Sequence, residues 1–209
     1  MTAPHDVPHG LWDRLRADPV RAPEHVALAA AERHGPAAAA WVAEKRSRYA
    51  VGGAELAQMA KKRHATLARL EGAVTGVGGI FTAAPDLVLL AWIQSRLVFF
   101  VAAAYGYDPN DRMRPAELLV LRDLYPDPAT ARQALDGIGR TVAEAYVGGR
   151  LEAGREQAML SRLLFFVGRR TATRAARRLI PGVAVAFNAI ANERDTRALA
   201  DRTIAFYGG

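Results

Sequence analysis

The sequence predicts an all-α protein, a single-domain helical bundle packed around a glycine-rich, apolar helical hairpin. Three observations predict this class. Apolar residues recur at helical spacing along most of the 209 residues, with no sustained period-2 alternation and no Asn-Gly hairpin signal. Prolines, glycines and aspartates fall where helices start and stop. The stretch from Gly72 to Tyr107, GAVTGVGGIFTAAPDLVLLAWIQSRLVFFVAAAYGY, carries only two formal charges, Asp86 and Arg96. A run this apolar must be buried in protein or set against lipid. Its glycines, Gly72, Gly76, Gly78, Gly79 and Gly106, mark close backbone approach or sharp turns.

The elements are expected in this order. Residues 1–22 read as a tail and lead-in. MTAPHDVPHG lacks a basic region followed by an apolar one, so no secretory signal is expected. The domain occupies 23–207. Its first segment, Pro23 to Ala43, is alanine-rich, and Gly35-Pro36 predicts a break into two short helices. Glu55 to Leu70 reads as an amphipathic helix with Lys61, Lys62 and Arg63 on its polar side.

Pro85-Asp86 marks the next start, because proline suits a first turn and the aspartate complements the positive end of the helix dipole. That helix should run to about Tyr105, with Gly106 as a left-handed cap and Pro109 beyond it. At about 1.5 Å per residue, twenty residues extend about 30 Å, close to a bilayer core. The fourteen uncharged residues before Asp86 fall short of the roughly 20 a span requires, so a two-pass anchor is not expected.

Asp111 to Leu124 predicts a shorter amphipathic helix. Asp127-Pro128 supplies a cap and a first-turn proline for a helix toward Val147, ended by Gly148-Gly149. Leu151 to Leu179 predicts one or two helices, stopped by Pro181-Gly182. Val183 to Tyr207 predicts the last helix or pair of helices.

Composition narrows the function. There is no cysteine, which excludes disulfides, thiol catalysis and thiolate metal sites. His5 and His9 flank Pro8 in the lead-in, no HExxH occurs, and no metal or cofactor is expected. Ser47, Ser95 and Ser161 are the only serines, and none lies in a G-x-S-x-G elbow. Ser95 reads as a small residue that lets helices approach. The glycines from Gly72 lack the lysine and the preceding strand of a phosphate loop. Asp86 and Arg96, ten residues apart, point about 80° from each other on one helix and cannot easily pair. Asp86 reads as a helix N-terminal charge. Arg96 needs a distant partner, with Asp108 and Asp123 as candidates.

The net charge of +7 points to an anionic partner, although abundant alanine, glycine and arginine also fit a purely compositional origin. Arg150 to Ile180 holds eight arginines against Glu152 and Glu156. Within it, Arg169, Arg170, Arg174, Arg177 and Arg178 fall on one half of a helical wheel, opposite Ala172, Ala175, Ala176 and Leu179. This pattern suits an anionic membrane surface or a solvated helix face. No recognised motif or aromatic stacking pattern supports nucleic acid.

The chain resembles the EcsC protein family. The resemblance rests on Thr75-Gly76-Val77-Gly78-Gly79, Pro85-Asp86-Leu87, Gln94-Ser95-Arg96 and Tyr105-Gly106-Tyr107-Asp108. It continues through Ile180-Pro181-Gly182-Val183 and Asn188, and covers about Glu55 to Tyr207. It implies a bacterial, membrane-associated protein, of a family named for a component encoded with an ABC transporter, and it carries over no catalytic residues.

The leading expectation is a non-enzymatic, cytoplasmic domain peripheral to the inner face of the cell membrane, or one that binds an acyl chain. Its lipid or ligand pocket candidates are Gly76, Gly79, Asp86, Leu89, Trp92, Ile93, Arg96 and Phe99. Its anionic-surface candidates are Arg169, Arg170, Arg174, Arg177 and Arg178. Two rivals are a hydrolase acting on a lipid or amide through Asp86 and Arg96, and an interaction subunit that docks on a membrane transporter.

Overall fold

The computed structural model of the chain describes residues 7–75, 83–138, 162–163, 166 and 183–209. Among these, every regular element is helical: α1 (His9–Ala17), a 3-10 turn (Pro19–Arg21), α2 (Ala22–Arg48), α3 (Gly53–Thr75), α4 (Ala83–Ala104), α5 (Arg114–Leu121), α6 (Pro128–Leu135) and α7 (Val183–Gly208). The all-α expectation holds, and α4 lies at the centre.

From Leu90 to Ala104 every residue of α4 is buried. A helix apolar all round must be covered all round. The window Leu87–Ala104 is long and apolar enough to cross a membrane, yet 89 % of it is buried inside the protein. Cover comes from α2, α3 and α7, with α5 across one end. α2 runs parallel to α4: His34 stacks on Trp92, Trp41 on Phe100, and the Arg46 guanidinium donates to the Ala104 carbonyl at 3.2 Å. α3 runs antiparallel to α4, with Gly53 against Ala104 and His64 against Phe100.

Small side chains make that cover tight. Leu56, Ala60, His64 and Ala68, each four residues on from the last, are fully buried on α3, so one stripe faces inward. α7 lies antiparallel beside α3, tied by Lys61 to Asp201 and by Arg69 to Glu193 at 3.8 Å. The junctions at Thr75, Ala83 and Val183 therefore share one end of the bundle.

The helix ends show why the chain turns where it does. Gly106 has φ +89°; its N–H donates to Ala103 at 3.0 Å and that of Tyr107 to Ala102 at 3.1 Å. This is a Schellman end at the expected glycine. The same bond pair closes α5 at Asp123, which holds φ 58° without being glycine. Asp127 caps α6 as expected, accepting from the Thr130 N–H and hydroxyl, both at 2.8 Å.

Three expectations change. Residues 9–17 of the lead-in form α1, and its Leu11 and Leu15 are fully buried in the core. Gly35-Pro36 does not break α2, which runs 27 residues with Pro36 inside. A proline there costs about 3 kcal/mol, but packing of Val26, Ala30, Ala38 and Trp41 on both sides of it holds the helix through. α6 stops at Leu135 rather than running on, because Gly137 takes φ +77° and closes it. Of the two alternatives for the C-terminal segment, the single helix is the one observed. The helices expected across Leu151 to Leu179 fall almost wholly outside the described residues.

Gly35 has a further role. A Cβ there would sit 2.7 Å from the Asn110 side-chain oxygen and 2.8 Å from the Pro109 carbonyl, so the turn after Gly106 packs directly on the α2 backbone. Gly35→Ala is expected to lower stability by about 1–3 kcal/mol. Gly52→Ser should raise it by a few tenths, because Glu55 already accepts from the Gly52 N–H at 2.9 Å and a serine would complete that capping box. Chemical denaturation of both variants checks this; a neutral Gly35→Ala would contradict the close approach.

Candidate functional site

Polar groups inside an apolar bundle are costly unless bonded, so their placement on α4 is informative. Gln94, Ser95 and Arg96 are all buried, and each does something different. Successive residues are 100° apart, so Gln94 and Arg96 face nearly opposite sides.

Gln94 points toward α5 and α7. Its carbonyl oxygen accepts from the Arg122 guanidinium and its amide donates to the Thr196 hydroxyl at 3.1 Å. Arg122 lies 5.0 Å over the Phe166 ring. Burial, then the charge of Arg202, pushes the Arg122 guanidinium down to about 9, against the pull of Asp195 and Asp123. It stays charged at neutral pH, so Gln94 supplies the bond that a buried cation requires. Ser95 donates to the Ala91 carbonyl at 2.7 Å, satisfying its hydroxyl within the helix.

Arg96 points toward α2 and α3. Its guanidinium lies 4.8 Å from the Phe100 ring centroid, and His64 meets the same ring from α3 at 5.2 Å. One turn earlier, Trp92 meets His34 from α2 at 4.3 Å. Burial, then the charges of Arg63 and Arg33, lowers Arg96 to about 10. His34 is held well below its ordinary value, first by burial and then by Arg96, His64 and Arg33. Its Nε2 is buried and has no hydrogen-bond partner among the described residues. His64 Nδ1 lies 2.8 Å from the Ala60 carbonyl. Arg33 and Arg63 themselves are exposed.

A third polar group ties the two ends of the family-like segment together. Arg114 lies 5.4 Å from both the Tyr107 and Tyr207 rings and pairs with Glu117, to which the Tyr207 hydroxyl also donates. Burial raises Glu117, with Tyr207 and Arg114 opposing, and burial also raises Tyr207. Tyr107 of the Tyr-Gly-Tyr-Asp run thus helps clamp the end of α7.

Of the predicted pocket residues, Trp92, Ile93 and Phe99 are core, Leu89 is half-buried beside it, and Arg96 belongs to the cationic group. Asp86 lies in the first turn of α4. Gly76, Gly79, Arg169, Arg170, Arg174, Arg177 and Arg178 lie outside the described residues. The acids considered for Arg96 are engaged elsewhere: Asp108 accepts from Asn110, and Asp123 pairs with Arg202 at 2.6 Å. Sequence reasoning gave no site role to His34, His64, Arg33, Gln94 or Arg122. One signal was available, since α2 and α3 each carry an Arg-His dipeptide whose histidine falls on the apolar stripe.

Among the described residues, no group of three or more histidine, aspartate or glutamate side chains could hold a metal ion. The group around Arg96 is cationic and aromatic.

The model of the EcsC protein family matches residues 53–208. An uncharacterized protein of Bacillus subtilis (strain 168), YdbA, is 38 % identical over 58 residues, which are 28 % of this chain and 21 % of that protein. The match thus spans about a fifth of that relative's length. No solved structure matches the chain.

His34 gives a pH-dependent test. Its folded-state value lies below the 6.5 of a free histidine, so the unfolded chain binds more protons once the pH falls below about 6.5. The stability is present above that value and is lost on acidification, by up to about 1.4 kcal/mol per pH unit for each such group. His25, also lowered by burial, acts in the same direction. Unfolding free energies between pH 7 and 5 should fall less steeply in His34→Asn than in wild type, by about one proton. Parallel pH profiles would contradict the buried neutral imidazole.

Proposed function

The chain belongs to the EcsC protein family, and from that premise we propose that it is a non-enzymatic helical domain that associates peripherally with anionic membrane surfaces. One observation carries the reading. The helix ends at Thr75, Ala83 and Val183 share one end of the bundle. Leu70 and Ile190, exposed by 57 % and 49 %, lie on α3 and α7 near it. Exposed apolar side chains in a protein whose sequence also carries an arginine-rich stretch are the ingredients of an interfacial contact. α4 is the protein's own core, so contact with lipid is superficial rather than spanning.

Near an anionic surface each arginine contributes about 1 kcal/mol, fading over about 10 Å at 0.1 M salt. Replacing Arg170, Arg174, Arg177 and Arg178 together by glutamine should weaken cosedimentation with phosphatidylglycerol-containing vesicles at least tenfold, with little change on purely phosphatidylcholine vesicles. High salt or carbonate should release the wild-type chain. Equal binding of the variant and wild type, or retention through carbonate, would overturn the reading.

A further inference from the structure

The arginine-rich stretch from Arg150 to Ile180 meets the bundle at one described place. Arg162, Leu163 and Phe166 are helical there, and Leu163 and Phe166 are fully buried in the core. Three residues apart, those two share one face of a helix. What Phe166 meets is a cation: the Arg122 guanidinium, at the end of α5, lies 5.0 Å from its ring centroid. Arg122 is itself buried, and its position is set by a chain of bonds across two other helices. It donates to Gln94 of α4, and Gln94 donates to the Thr196 hydroxyl of α7 at 3.1 Å. A guanidinium donates within its plane and stacks by its face, so one group can serve both Gln94 and a ring.

We propose that Arg122 is a positioning residue for the arginine-rich segment: held by Gln94 and Thr196, it seats Phe166 and so fixes that segment to the bundle at one point. An apolar side chain in place of Arg122 would bury Phe166 without the cost of desolvating a charge. A bonded cation instead fixes where the ring sits, and a desolvated cation–π contact is among the stronger ring contacts. Arg162, one turn from Phe166, is half-buried, and its guanidinium is lowered by burial against the opposing pull of Glu24. Glu24 is in turn held by the Tyr125 hydroxyl at 2.5 Å. The consequence for function rests on the membrane reading above. A segment already held on the bundle does not pay its ordering cost when it meets a surface, so the seat raises affinity without adding a charge.

The test uses the full chain, with amide exchange as one readout and cosedimentation with phosphatidylglycerol-containing vesicles as the other. Phe166→Leu keeps an apolar side chain and removes the ring face; Arg122→Met removes the cation; the double variant removes both. Melting temperatures report that each folds. In Phe166→Leu the amides of Leu163 and residue 166 should exchange about tenfold faster or more, while those of Leu97 to Ala104 keep their protection. The double variant should be no faster at those two amides than the faster single one, because both singles break the same contact. Vesicle affinity should fall about tenfold in Phe166→Leu with its salt dependence unchanged, since no surface charge is lost. The quadruple arginine variant of the preceding section should do the reverse, losing salt dependence while exchange at Phe166 stays as in wild type. Unchanged local exchange in Phe166→Leu, equal acceleration across α4, additive effects in the double variant, or unchanged affinity for vesicles that wild type binds would each overturn the proposal. If wild type binds no vesicles, the membrane reading fails by itself, and the exchange rates alone decide whether Arg122 seats the segment.

Discussion

The fold depends on covering one helix. α4 is apolar on every face, and at about 1.5–3 kcal/mol for each large apolar side chain taken from water, leaving any face open would be untenable. A helix can be covered on all sides only by several neighbours at close range. α2, α3 and α7 provide that, and their alanines set the distance. Ala27, Ala30 and Ala38 on α2 and Ala57, Ala60 and Ala68 on α3 are all completely buried. An alanine stripe carries little hydrophobic area of its own; its value is that larger residues on α4, such as Trp92, Phe99 and Phe100, can fill the space against it. The same constraint explains α1, whose two leucines complete the layer over α2.

That dependence explains which parts were legible in the sequence. The class, the central helix, its glycine cap at Gly106 and the Asp127 cap of α6 are local matters, and local pattern sufficed. The uninterrupted α2 was not legible, because Gly35-Pro36 is a strong local signal overridden by packing along the rest of the helix. Gly137 was the opposite case. The stop was written as Asp136-Gly137, but the apolar pattern resuming beyond it suggested continuity. The lead-in looked like a tail because two leucines in nine residues of α1 are too few to register as a periodicity, although both are buried.

The candidate site was only partly legible. Arg96 stood out as the lone base in an apolar helix, and its need for distant company was clear. What gathers around it depends on which faces of α2 and α3 meet α4, which no single helix reveals. Among the charges that bear on Arg96 are two cations, Arg63 and Arg33. Gln94, two residues earlier, was read as part of a family signature and had no stated role. The structure gives it one, as the bond that lets Arg122 remain charged inside the bundle. Two cations on opposite sides of one apolar helix thus have different settings, Arg122 bonded to Gln94 and Arg96 set over the Phe100 ring.

All of this rests on α4 being sheltered by protein rather than by lipid. Amide hydrogen exchange of the purified chain in detergent-free buffer tests that directly. The account predicts a dispersed, folded protein in which the amides of Leu97 to Ala104 exchange most slowly, at the rate of global unfolding. Rapid exchange across that segment, or a chain that stays dispersed and protected only when lipid or detergent is supplied, would contradict it.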